Sequence, residues 1–436
     1  MPVVSRPRTA YAFWSAQAAT RPTGRPATAP AAFKDTPYTR IAKPSAPSGP
    51  MHDVKLSLMH PRHRQLLAPI ACHSDYNEAE AAIVEIILPT LQERCPGTTF
   101  AMSIVQYKSH PTILVGVSEP EGVRQHLSTT YGGLPVLIVQ ARTETRDAAI
   151  DLDLVRRTAD KAAGASLGSL GSDHAGTLGM FVRHKSSKAI CGLTAYHVVS
   201  SNDEVLCPAE ADALPLINHL EPVILHLQTV VRQKNSRGRD SREEQQVLDT
   251  LKEDLSKLLN RSTFGRVIAK DFQVPSEDNP VYSDCALFTI DRPDSIELRR
   301  FQKTRADNIT KFVSPADVHR NDVLTMIGRT SGKTKANKNE YRFVSSMTLH
   351  TGVKSKPFFS WSAWNEHSDF TAKGDSGAVV VRQGKELYDN AAIGIVVGGT
   401  RMAIPSDFGT RECDITFFQP ITEAAELLGF EVIDDD

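Results

Sequence analysis

Cysteine is scarce in this chain. Six are spread over 436 residues, at Cys72, Cys95, Cys191, Cys207, Cys285 and Cys413. That excludes a disulfide framework, which depends on dense cysteine in a short chain. No CxxC pair occurs, so the usual cysteine half of a structural zinc site is missing too. His60, His63, Cys72 and His73 lie close enough to suggest a metal site. Without a second paired ligand motif, scattered polar surface residues are the competing reading. Excess charge of either sign is also absent: Lys+Arg is 50, Asp+Glu is 51, and the formal net charge is -1. That balance offers no global field for nucleic acid or for a polybasic membrane contact. No apolar run approaches the roughly 18 residues of a membrane span. The longest, such as Ala391 to Gly399, have the length of buried strands.

What is present is ordinary globular material, 40% hydrophobic and 23% charged. The length suits roughly two or three domains. The first 50 residues depart from the average. They hold nine of the 26 prolines, eleven alanines, seven Lys/Arg and a single acid, Asp35. Such a segment cannot bury enough apolar surface to offset its ordering entropy, so 1–52 reads as a disordered tail. An organelle transit peptide is the competing reading, and the prolines disfavour its amphipathic helix. No apolar stretch follows Met1, which disfavours a secretory signal.

Residues 75–141 read as a small α/β module. Asn77 with Glu80 marks a helix start, and Ala82, Ile83, Ile86, Ile87 and Leu91 recur at helical spacing. Cys95-Pro96-Gly97 ends that helix. Strand-like runs follow at Thr99 to Tyr107, Thr112 to Val117 and Leu134 to Gln140. Pro120 opens a short helix before the last of these. No phosphate-binding glycine loop or catalytic cluster accompanies them. Residues 142–169 read as a linker, partly helical near Ile150 to Arg157. From residue 170 to 436 short apolar runs alternate with Gly, Pro, Asn and Asp, the texture of an all-β barrel or sandwich. A helical hairpin, about 221–261, interrupts it. Its stripes are Ile224, Leu227 and Val231, then Val247, Leu248, Leu251, Leu255 and Leu258, with Ser241 and Glu244 as a capping box. These stripes must pack on each other, on the barrel or on a second chain.

Three segments carry the chemistry. They are Gly192-Leu193-Thr194-Ala195-Tyr196-His197-Val198-Val199, Tyr282-Ser283-Asp284-Cys285-Ala286-Leu287-Phe288, and Lys373-Gly374-Asp375-Ser376-Gly377-Ala378-Val379-Val380. A serine hydroxyl is a weak nucleophile. It needs a base in reach, and the base needs a third group to fix its tautomer. His197, Asp284 and Ser376 are those types, each at the edge of a strand-like run. Asp291 and Asp294 lie near Asp284. A tight turn through Gly374 can aim its own N–H and that of Ser376 at one developing oxyanion.

These residues resemble the trypsin-like serine proteases of the chymotrypsin fold. The order His197, Asp284, Ser376 is that family's order. Thr194-Ala195-Tyr196-His197 resembles its histidine motif, and Gly374-Asp375-Ser376-Gly377 is its serine motif. Gly176 to Val182 resembles the first strand of its first barrel. Gly328-Arg329-Thr330-Ser331-Gly332 resembles a second-barrel strand of microbial and fungal members. Gly394 to Gly399 resembles the specificity-pocket strand, and Ile421 to Leu428 the closing helix. The resemblance spans roughly residues 170 to 430.

It implies a mainly β fold: two six-stranded barrels with the hairpin inserted. It implies a serine endopeptidase acting on protein or peptide substrates through an acyl-enzyme, needing no cofactor. Val198 stands where secreted animal members carry a disulfide cysteine, which points to an intracellular, cytoplasmic location. No zymogen cleavage stretch precedes Gly176, so Asp375 must find a donor other than a new N-terminal amine. The family geometry puts Phe370 at the base of the specificity pocket. A shift of one residue would place Asp369 there and favour Lys or Arg. Val397, Gly398 and Gly399 would pair with an extended substrate, and Gly398, Gly399 and Thr400 are otherwise plain turn residues. A catalytically silent protease-fold scaffold is the main alternative. An α/β-hydrolase esterase is weaker: it needs G-x-S-x-G, residue 378 is alanine, and its triad order puts serine first.

Overall fold

The computed structural model describes residues 66–70, 76–144, 163–261, 263–275, 282–291, 309–319, 322–349, 354–365, 369–383 and 390–433. The N-terminal tail, the proposed His60/His63/Cys72/His73 cluster, the helix expected near Ile150 to Arg157, and Asp294 lie outside them.

The described chain is mainly β. Its strands fall into two sheets, of thirteen and eight strands. The eight-stranded sheet is antiparallel throughout. At its centre Ile190–Thr194 pairs with Ser283–Thr289, which pairs with Gly265–Gln273. This places the strand before His197 directly beside the strand that carries Asp284. The larger sheet holds Leu324–Gly328, Gly332–Lys338, Phe358–Trp364, Val379–Arg382, Asn390–Ser406 and Gly409–Pro420. One core cluster bridges the two sheets. Val182, Leu193 and Leu287 from one meet Val379, Val381 and Ile395 from the other. The Ile421–Leu428 helix seals this seam with Ile421, Ala424, Ala425 and Leu428. Gly429 stops the helix at φ 69°, a conformation that costs glycine little.

The α/β segment follows the expected element order, and its sheet is continuous with the larger sheet. Helix Asn77–Ala82 runs through a π turn, Ile83–Ile87, into Leu88–Arg94. Ile83, Ile87 and Leu91 are buried, whereas Ile86 faces solvent. Strands Phe100–Tyr107 and His110–Val117 form a hairpin. The first also pairs with Phe343–Ser346. Strand Leu134–Glu144 lies parallel to His110–Val117, and its far end pairs with Asn390–Ser406. It therefore runs beyond the expected boundary at residue 141.

The helical hairpin is longer than its sequence suggests. Its first helix, α1, is Glu210–Ser236 and its second, α2, is Arg242–Leu259. Pro215 and Pro222 both lie inside α1, although Pro222 reads as a first-turn residue. An interior proline costs about 3 kcal/mol. Here Ala213, Leu216, Ile217 and Leu220 continue the apolar stripe upstream of Pro222 and are buried against α2, which offsets that cost. The two stripes thus pack on each other, with Val247 half exposed. The expected capping box does not form. Ser241 donates its hydroxyl to Asn235 Oδ1 at 2.6 Å, and Glu244 pairs with Lys234 instead.

Candidate active site

His197 sits in a short 3-10 turn, Tyr196–Val199, at the end of the Ile190–Thr194 strand. Asp284 sits near the start of the neighbouring strand. Strand pairing brings these residues, 87 apart in sequence, into direct contact. Asp284 Oδ2 lies 2.5 Å from His197 Nδ1, and Oδ1 accepts the His197 backbone N–H at 2.9 Å. Both side chains are buried. Burial pushes the Asp284 carboxyl upward. The adjacent His197 charge, with hydrogen bonds from His197 and Tyr282, outweighs that and holds it below its ordinary value. An ionised carboxylate only accepts, so Nδ1 must carry the proton. In the neutral ring Nε2 is then the basic nitrogen.

Two further side chains fix Asp284. Tyr282 donates its hydroxyl to Oδ2 at 2.9 Å. Gln419 brackets the Asp284 backbone, accepting its N–H at 2.8 Å and donating to its carbonyl at 3.1 Å. Asp291 lies beyond this strand, exposed, with its N–H donated to the Phe264 carbonyl.

Ser376 is carried by the turn that precedes the Val379–Arg382 strand. Gly374 and Gly377 hold φ +96° and +90° there, a region side chains rarely adopt. The Gly377 position is also closed sterically. A Cβ on it would lie 2.3 Å from Thr194 Oγ1 and 2.9 Å from the Ala195 nitrogen. The serine turn is thus pressed against the residues just before His197. Gly176 fills the other side: a Cβ there would meet Val198 at 2.3 Å and the Ser376 carbonyl at 2.8 Å. The turn that carries Ser376 thus lies beside the backbone that flanks His197, at the seam between the two sheets.

The turn's own amides are largely spent. Asp375 N–H goes to Ala372, Gly377 N–H to Val396 and Ala378 N–H to Asp375. Asp375 itself is fully buried and has found its donors in backbone. Oδ1 accepts from Thr330 at 2.8 Å and Ser331 at 3.3 Å, and Oδ2 from Ala372 at 2.8 Å. Burial still lifts its carboxyl above the usual range against these donors. The Gly328–Gly332 turn wraps it so closely that a Cβ at Gly328 would lie 2.3 Å from Asp375 Cγ.

Residues that no catalytic motif marks stitch this together. Thr177 donates its N–H to the Ser376 carbonyl at 2.8 Å and its hydroxyl to the Gly374 carbonyl at 2.9 Å. The same hydroxyl accepts the Arg329 N–H at 3.1 Å. The Arg329 guanidinium is buried 3.3 Å from Asp212 of α1. Ser166 donates its hydroxyl to that Asp212 carboxylate at 2.5 Å. Tyr282 was visible beside Asp284. Gln419 and Asp212 carry no local signal, because their partners are far away in sequence, and nothing in the Gly328–Gly332 stretch marks Asp212 as the partner of Arg329.

No protein-family model matches this chain, and no curated protein matches it. The functional reading therefore rests on geometry.

The specificity residues are less open than the family geometry implies. Phe370 has no exposed surface and packs in the core with Met326, Val380, Val396 and Phe418. Asp369 is exposed and lies within electrostatic reach of Arg401, which pairs with Asp414 at 2.9 Å. Val397 is buried in a neighbouring cluster, while Gly398 and Gly399 are opposed by Phe417 and Thr416 of the adjacent strand. The five described cysteines are free thiols. Burial pushes the Cys285 thiol up to about 12, so it is a packing residue and no competing nucleophile. Among the described residues no group of His, Cys, Asp and Glu is placed to hold a metal ion, and no helix is long and apolar enough to cross a membrane.

Proposed function

We propose that the chain is a serine endopeptidase of the trypsin-like, two-barrel type. The observation that carries this is the buried His197–Asp284 pair, doubly hydrogen-bonded and locked against the Ser376 turn. His197 Nε2 takes the proton from Ser376, whose oxygen attacks the scissile carbonyl. Asp284 keeps the proton on Nδ1 and stabilises the imidazolium. The Gly374 and Ser376 N–H groups receive the oxyanion. His197 then donates its proton to the leaving amine, and water hydrolyses the acyl-enzyme.

Asp375 supports this reading because its carboxylate is satisfied by Thr330, Ser331 and Ala372. The oxyanion turn needs no new N-terminus to hold it, so activity is expected without zymogen cleavage. The free thiols accord with an intracellular setting.

The test is hydrolysis of a mixed peptide-amide pool by wild type, Ser376→Ala and Asp284→Asn proteins. Loss of turnover in both variants, with circular dichroism unchanged, is expected. Equal turnover in wild type and Ser376→Ala would reject the assignment. A folded wild type with no turnover would favour a protease-fold scaffold.

A further inference from the structure

The Asn390–Ser406 strand has one edge fully taken. Ile309–Phe312 pairs with Asn390 to Ala392 and Gly409–Pro420 with Gly394 to Ser406. Its other edge, on the Ser376 side, is taken in two pieces. Val379–Arg382 covers Ala391 to Ile395, and the Gly377 N–H then closes onto Val396 at 2.9 Å. The Leu134–Glu144 strand covers Gly399 to Met402. There Glu144 stands opposite Gly399, Thr143 opposite Thr400, Arg142 opposite Arg401 and Ala141 opposite Met402. Only Val397 and Gly398 lie between the two neighbours.

An extended substrate would join this edge by antiparallel β-addition, with its scissile bond at Ser376. The Leu134–Glu144 strand is antiparallel to the same edge. It approaches Ser376 from the side where the upstream part of such a substrate would lie. The partnership with His110–Val117 ends at Gln140, and from Ala141 to Glu144 the strand pairs with the Asn390–Ser406 edge instead. Its backbone is thus committed to the groove.

We propose that residues Ala141–Glu144 are a built-in occupant of the substrate groove. They hold the backbone positions of the upstream peptide residues. Substrates reaching only to Val397 and Gly398 bind freely, and longer ones must displace this strand end. The proposal rests on the protease reading and adds its regulation.

A reversible lock tests it. Arg142 and Arg401 are exposed and directly opposed. Opposed residues on antiparallel strands stand about 4.5–5.5 Å apart at Cα, within disulfide range. The R142C/R401C protein is assayed oxidised and reduced, against randomised dipeptide and hexapeptide aminocoumarin amides. Oxidation is expected to lower hexapeptide turnover about tenfold, the worth of one or two net hydrogen bonds, and to leave dipeptide turnover within about twofold. Because one protein is compared with itself, misfolding of the variant cannot mimic the result. In parallel, Arg142→Pro and Thr143→Pro are made. Side-chain alternation means one of the two removes an N–H aimed at the groove strand, and that variant is expected to cleave hexapeptides faster than wild type. Labelling of Ser376 by a fluorophosphonate in both redox forms, with identical turnover of both pools, would overturn the groove proposal alone. No labelling and no cleavage of either pool would overturn it together with the protease reading.

Discussion

The buried pair between Asp212 and Arg329 lends itself to a quantitative test. Both side chains are almost wholly inaccessible, at 0% and 2% exposure. In Asp212→Leu the guanidinium loses both its countercharge and its hydrogen-bond acceptor without gaining water, and the expected cost is about 3–5 kcal/mol. Arg329→Met leaves the carboxylate buried with the Ser166 hydroxyl, and a similar cost follows. The double variant Asp212→Leu with Arg329→Met removes both charges. It is expected to recover most of the loss, or to exceed wild type by about 1–4 kcal/mol. Urea unfolding of the four proteins closes the cycle. Single variants within about 0.5 kcal/mol of wild type would refute the reasoning.

The pH dependence of the same set has a definite sign. Burial raises the Asp212 carboxyl, with Arg329 and Ser166 opposing. The folded state therefore holds this proton to higher pH than the unfolded state. The stability Asp212 contributes is greatest at low pH. It declines as pH rises from the ordinary carboxylate range through the raised folded value. Asp212→Leu should abolish that decline. The Arg329 backbone is also tied through Thr177 to Gly374. The single variants should consequently lower kcat while KM changes little.

Further expectations concern the site itself. Asp284 is held below its ordinary value, so the stability it contributes is present above the ordinary carboxylate range and lost as pH falls through the lowered folded value; unfolding free energies of wild type and Asp284→Asn should converge in acid. Tyr282→Phe removes one donor to that carboxylate, and kcat should fall about tenfold, or about 1.4 kcal/mol, with the fold intact. Gly377→Ala forces a side chain into contact with Thr194 at φ +90°; turnover should collapse. Gly122→Ala meets nothing within 4 Å in its short helix and should stabilise by about 0.5–1 kcal/mol, which makes it the matched control. Since His197 must be unprotonated to act as base, kcat/KM should fall on the acid side; a profile rising toward acid would count against His197.

Local chemistry made the candidate site legible. His197, Asp284 and Ser376 each stand at the boundary of an apolar run, and such boundaries became strand ends facing one seam. The two glycines around Ser376 announced a turn that other residues would resist, and both have positive φ. Periodicity found the hairpin, because its stripes are regular over many residues. Its true start at Glu210 was hidden by Pro215 and Pro222, whose local penalty is overridden by tertiary packing. Long-range pairing was not legible. Nothing in Leu134–Glu144 specifies Asn390–Ser406 as its partner, since strand complementarity is set by backbone that every sequence shares. Phe370 illustrates the same limit: the family resemblance implies a place at the base of a specificity pocket, and only the three-dimensional core decides where its ring goes.

The nucleophile itself can be tested most directly by a fluorophosphonate, followed by intact-mass and peptide mass spectrometry. Wild type should gain one adduct, on Ser376, at a rate that drops in Asp284→Asn and vanishes in Ser376→Ala. A folded wild type that stays unlabelled, or an adduct carried by another residue, would contradict the serine-nucleophile assignment.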